Sequence, residues 1–214
     1  MNAEPGWAMH MARYAVPPAH DGYLGPRTKL ITAGQRLLLE RGDSSYTIEE
    51  LVRRAGVAIK TFYRCFQNKE EFLLEVFTTS VSGAAPRIRQ YIVDATDDPL
   101  ARLRMVVTWP LEWHPEAEPL SRAVATEHMR ITMTSPETIA ATRKPYEAVV
   151  RELIADAAEA GLVAPTDLEW DAHLITSMVT SAYHTLVLGL GEPDAATLAD
   201  NVWRFCLTAL NGPG

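Results

Sequence analysis

Lys60, Thr61, Tyr63 and Arg64 fall close together in the stretch VAIKTFYRCFQNKEEFL, residues 57–73. Two cations and two hydroxyls at that density suit a polyanion better than a reaction. Lys60 and Arg64 are long donors that reach phosphate oxygens or guanine edges, and Thr61 and Tyr63 offer hydroxyls to phosphate. Ile59 adds the kind of apolar contact a thymine methyl takes. At 100° per residue, Ile59, Lys60, Tyr63 and Arg64 share one arc of a helix, while Phe62 and Phe66 lie opposite and can anchor it. Thr28, Thr47 and Lys69 stand at expected helix starts, where free backbone N–H groups and the helix dipole also favour phosphate. Each has a plainer reading alone: a solvated cation, a helix cap, a core isoleucine. Their occurrence in one register is what points to DNA.

The elements that must hold this arc are helical. Apolar positions recur at three- and four-residue spacing, and prolines and glycines fall between the periodic segments. Residues 28–41 place Leu30, Gly34, Leu37 and Leu38 on one stripe and stop at Gly42, which suits a left-handed cap. TIEELVRRAG opens with Thr47 and Glu50 in capping-box register and closes at Gly56. A short helix at about 58–65 follows, and Asn68 with Glu71 caps a longer one whose inner stripe is Phe72, Leu73, Val76 and Phe77. Helix, helix, tight turn, short helix is helix-turn-helix order, which presents the third helix to a major groove. Beyond residue 80 the prolines punctuate longer segments near 86–96, 99–112, 117–132, 136–160, 167–190 and 194–210. The predicted fold class is all-α, a three-helix head on a larger helical body.

ITAGQRLLLERG followed by TIEELVRRAGVAIKTFYRCFQNKEEFL resembles the DNA-binding head of the TetR family of one-component transcriptional regulators. The resemblance covers residues 28 to about 75, and its Thr-Phe-Tyr…Phe…Asn-Lys-Glu pattern is highly specific. It implies an all-α homodimer that binds a palindromic operator and leaves it when a small molecule enters the C-terminal body. The family's DNA-facing positions fall on Ile59, Lys60, Thr61, Tyr63, Arg64 and Lys69, with Thr28 and Thr47 as phosphate contacts. Two positions depart from the pattern. Ala58 stands where a Ser or Thr usually opens the third helix, a lost cap that costs about 1 kcal/mol. Gly34 replaces a usual alanine, at up to about 1 kcal/mol of helix propensity.

The charge is uneven. The 214 residues carry a net charge of −7, yet residues 27–77 hold nine Lys/Arg against seven Asp/Glu, and residues 78–214 hold ten against eighteen. An anionic partner should therefore meet the N-terminal third. Cys65 and Cys206 make no disulfide framework, and no CxxC or Cys/His cluster suggests zinc, so no metal or cofactor is expected and a reducing cytoplasm is the predicted compartment. Residues 1–26 read as a loose arm with no signal-peptide pattern, and no run of about 18 apolar residues suits a membrane span. The expected division is an arm at 1–26, a DNA-binding domain at 27–75, and an effector and dimerisation domain at 76–214.

Within the body, soft and aromatic side chains gather around the proline breaks. Met105, Trp109, Trp113, Met129, Met133, Tyr146, Met178 and Tyr183 are the candidates to line a concave site for a small, mostly apolar effector, though Met and Trp at helical spacing are more often core. The last two segments carry stripes that suit a four-helix dimer contact, with Trp170, Leu174, Ser181 and Leu188 on one and Leu198, Val202 and Phe205 on the other. Two rival classes fit parts of the sequence. Glu127–His128 or Asp171–His173 could serve an enzyme as acid/base pairs, but no HExxH, GxSxG or phosphate-binding glycine loop supports catalysis. A ligand-binding protein of the same fold with little DNA binding is the other, and the basic arc argues against it.

Overall fold

The computed structural model describes residues 25–112, 118–191 and 194–211, with side chains omitted at 118–120. Its described elements are helices: α1 (Pro26–Arg41), α2 (Ile48–Ala55), α3 (Ile59–Cys65), α4 (Lys69–Ser82), α5 (Ala85–Ala95), α6 (Pro99–Thr108), a 3₁₀ turn (Trp109–Leu111), α7 (Glu118–Thr134), α8 (Pro136–Glu159), α9 (Leu168–Leu188) and α10 (Ala195–Ala209). No helix among the described residues is long and apolar enough to cross a membrane.

The helix ends have local causes. Gly42 ends α1 at φ 72° and Gly56 ends α2 at φ 66°, left-handed positions that a β-carbon would strain. The Thr47 hydroxyl accepts the Glu50 N–H at 3.2 Å, but the box stays half-built because the Glu50 carboxylate pairs with Arg41 instead. Asn68 caps α4 by accepting the Glu71 N–H at 2.8 Å, and Glu71 returns its carboxylate to the Gln67 N–H at 2.7 Å. Asp167 and Asp194 cap α9 and α10 in the same way. Ala58 offers α3 no side-chain cap.

The described residues form two compact units. One takes 25–83 and 118–142, so α7 and the first residues of α8 group with the helix-turn-helix; the other takes 84–112 and 143–211. This is a partition by packing, distinct from the division of labour expected at residue 75. The first unit is built on Leu30, Leu37, Tyr46, Leu51, Phe62, Phe66 and Phe72, each at most 2% exposed. Phe66 and Phe72 meet edge to face at 5.2 Å, and Phe62 lies 5.6 and 5.7 Å from them, a small aromatic core under α3. A second cluster of Phe77, Ile131 and Ile139 joins α4, α7 and the start of α8. In the other unit Ile92, Leu103, Val106, Leu111, Leu153, Ile154 and Cys206 are fully buried or nearly so. Burial pushes the Cys206 thiol up to about 12, so it is an inert apolar filler.

Candidate nucleic-acid interface

The third helix is held by its apolar side and free on its polar one. Phe62 and Phe66 are 0% and 2% exposed, whereas Ile59 and Tyr63 are 42% and 57% exposed, and Lys60 and Arg64 are exposed with them. Thr61 is half-buried at the flank of the arc. Thr28 and Thr47 are exposed on the first turn of α1 and at the start of α2.

Three arginines of the head outside the arc are held in ion pairs. Arg27 pairs with Glu75, Arg41 with Glu50 and Arg54 with Glu40. Among the described residues no carboxylate pairs with Lys60 or Arg64, nor with Arg36 or Arg53 elsewhere in the head, so the two cations of the arc are available to a phosphate. A cation already paired to a carboxylate must break that pair to reach a phosphate, whereas an unpaired one only releases counterions.

Lys69 is placed differently from the others. Its ammonium donates to the Ser44 carbonyl at 2.5 Å and lies 5.0 Å from the Tyr46 ring, and partial burial lowers its pKa. It is engaged inside the head, where its charge still adds to the local potential. Arg27 also escaped the sequence reading: it donates to the Cys65 carbonyl at 2.6 Å, lies 4.5 Å over the Phe66 ring and pairs with Glu75, closing the C-terminal end of α3 onto α4. Its position on the first turn of a helix, far in sequence from all three partners, carries no signal of that role.

Residues 30–76 match the family described as "Bacterial regulatory proteins, tetR family", and residues 96–210 match "Tetracyclin repressor-like, C-terminal domain". The chain belongs to the TetR family. This TetR-family chain is 37% identical over 76 residues to the transcriptional regulator AcuR of Cereibacter sphaeroides, covering 36% of the chain and 35% of AcuR. It is 29% identical over 116 residues to the transcriptional repressor DhaR of Mycobacterium sp. (strain GP1), covering 49% of the chain and 59% of DhaR. It thus spans about a third to three fifths of the curated relatives it matches. Among solved structures it is similar to the fatty acid degradation regulator FadR of Bacillus halodurans, with TM-score 0.67, 21% identity, and 90% and 100% of the two chains covered. The Thermus thermophilus repressor FadR in complex with lauroyl-CoA gives 0.65 at 17%, covering 88% and 99%. At these identities the solved structures establish the shared fold.

The residues expected to line an effector site in this TetR-family chain fall on both units. Met105, Trp109, Tyr146, Met178 and Tyr183 lie in the unit built from α5, α6, α9, α10 and most of α8. There Trp109 is 4% exposed and stacks on Tyr91 at 4.7 Å, Tyr183 is 8% exposed, and the Tyr146 hydroxyl donates to the Val106 carbonyl at 2.5 Å. Met105 and Met178 are half-buried beside them in sequence and class. Met129 and Met133 belong to the other unit, where they are 49% and 87% exposed on α7. Trp113 lies outside the described residues.

Of the stripe expected at a dimer contact, Trp170, Leu174 and Phe205 are 62%, 59% and 65% exposed, Ser181 is exposed, and Leu188 and Leu198 are half-buried. Val202 is 7% exposed. Glu127 and His128, considered as an acid/base pair, diverge: the Glu127 carboxylate accepts from Ser44 and Arg130, while His128 lies 6.1 Å from the Phe77 ring. Among the described residues no three His, Cys, Asp or Glu side chains are grouped to hold a metal.

Proposed function

We propose that this TetR-family regulator is a cytoplasmic repressor that binds a palindromic operator as a homodimer and leaves it when a small, mostly apolar molecule enters the C-terminal part. In this reading residues 27–75 read DNA, residues 76–214 bind the effector and pair the subunits, and Ile59, Lys60, Thr61, Tyr63 and Arg64 face the groove. Thr28 and Thr47 serve the flanking phosphates. The observation that carries it is the exposed arc of α3, whose Lys60 and Arg64 pair with no described carboxylate while Arg27, Arg41 and Arg54 do. The names of DhaR and of KstR2 from Rhodococcus jostii, both repressors, support the sign of the effect. The acyl-CoA complexes of two similar folds, stearoyl-CoA on Bacillus subtilis FadR and lauroyl-CoA on Thermus thermophilus FadR, support an effector with a long apolar part.

The test is binding to duplex DNA taken from upstream of its own gene, measured by anisotropy across a salt series. Two reading helices that release counterions from several phosphates give a log–log slope of about −4 or steeper, with a preference over random duplex. A complex insensitive to salt, or no preference for the upstream duplex, overturns this reading.

A further inference from the structure

We propose that Glu127 is a positioning residue for DNA binding: from α7 its buried carboxylate fixes the segment between α1 and α2, and through that segment the reading helix, without touching DNA. The inference rests on the regulator reading above. Glu127 is 8% exposed, with both carboxylate oxygens engaged: Oε1 accepts the Ser44 hydroxyl at 3.1 Å and Oε2 accepts Arg130 Nε at 2.8 Å. Ser44 lies in the link between Arg41, the last residue of α1, and Ile48, the first of α2. The carbonyl of the same residue accepts the Lys69 ammonium from the first turn of α4 at 2.5 Å. Next to it Asp43 accepts the Ser45 N–H at 2.8 Å and closes the local turn. One residue of the link is therefore held from two sides, through its side chain by α7 and through its backbone by α4.

A carboxylate is a costly way to fill buried space, and an apolar side chain of similar volume avoids the desolvation. What the charge adds here is direction: it admits one position of Ser44. Near the first turn of α4 an open cleft of about 430 Å³, lined by Asn68, Glu71, Leu74, Arg130, Ile131 and Ser135, lies between α4 and the end of α7. Tyr46, 1% exposed in the shared core, anchors the end of the link nearer α2 by packing, and the bonds to Ser44 hold the end nearer α1. The link ends at Thr47, which caps α2, and α2 joins α3 through the turn at Gly56 over the shared aromatic core. A displaced link moves the reading arc with it. Specific binding needs the arc in register with base edges, whereas non-specific binding needs only its cations. Removing Glu127 should weaken the first and spare the second.

The experiment titrates the full chain onto the duplex from upstream of its own gene and onto a random duplex of the same length, for wild type, Glu127→Ala, Glu127→Gln, Ser44→Ala and the Glu127→Ala/Ser44→Ala pair. Glu127→Ala should bind the upstream duplex about tenfold more weakly and the random duplex within about twofold of wild type. Glu127→Gln keeps an acceptor for Ser44 and should recover to within about threefold of wild type, and the double variant should be no weaker than Glu127→Ala, because both changes remove one bond. A merely structural role would weaken both duplexes together. The inference is overturned if the ratio of specific to non-specific affinity is unchanged in Glu127→Ala and in Ser44→Ala; should Glu127→Ala fail to fold, Ser44→Ala decides, since it leaves α7 intact. If wild type itself shows no preference for the upstream duplex, the regulator reading fails first and the two failures are told apart.

Discussion

Gly34 lies where Phe72 crosses α1. A β-carbon there would come within 2.5 Å of Phe72 Cζ and 3.2 Å of Val76 Cγ2, and Phe72 is fully buried with its neighbours closed around it. Helix propensity alone ranks alanine above glycine by about 1 kcal/mol, but forcing the ring aside costs about 1–3 kcal/mol in a packed core. Gly34→Ala should therefore melt lower than wild type, by about 2–4 °C for a net loss near 1 kcal/mol in a chain of this size; a higher melting temperature would show the clash relaxes. The glycine that departs from the family pattern is thus explained by packing, which no propensity scale contains. Ala58 is legible both ways: an uncapped α3 is what its side chain predicts and what the structure shows. Lys69 was readable as a cation near a helix start, but not as one spent on Ser44, because that contact joins residues 25 apart in the chain.

Helices were the most legible level. Periodicity, glycine stops and the Asn68 cap foretell α1–α3 and the start of α4 to within a residue or two, and the prolines foretell the starts of α6, α8 and α10. The pairs that tie helices together were not legible, since any exposed arginine has many candidate partners. Arg89 on α5 and Glu152 on α8 show this, with Arg89 Nε donating to Glu152 at 2.8 Å. That hydrogen bond is the main reason the Glu152 pKa lies below the usual value. A carboxylate lowered on folding stabilises the folded state above its unfolded pKa and stops doing so as pH falls through the lowered one. Arg89→Ala should therefore be less stable at pH 7, by under about 1 kcal/mol because the pair is solvated. That deficit should shrink as pH falls through and below the ordinary glutamate range, where Glu152 takes up a proton. Melting temperatures of the two proteins across that range check it, and a constant deficit would assign the loss to something other than this charge pair.

For the whole molecule, two surfaces carry the account, and they lie on different units. On α9 and α10, Trp170, Leu174 and Phe205 leave about three fifths of their area in water, more large apolar surface than isolated exposed residues give. If a second copy covers them, wild type sediments as a dimer and Leu174→Asp as a monomer with unchanged helicity; a monomeric wild type at tens of micromolar would remove this contact from the proposal. The effector site stayed least legible, because Met and Trp serve a core and a pocket equally well, and its expected residues divide between an interior and an outer helix face. The DNA-reading surface is where composition, periodicity and folded geometry agree, with a basic N-terminal third and an exposed arc whose Lys60 and Arg64 have no carboxylate partner among the described residues. Its most direct test is the shift of the upstream duplex by Lys60→Ala/Arg64→Ala. The account predicts that binding is abolished while helicity and assembly state match wild type. Binding at wild-type affinity would contradict it.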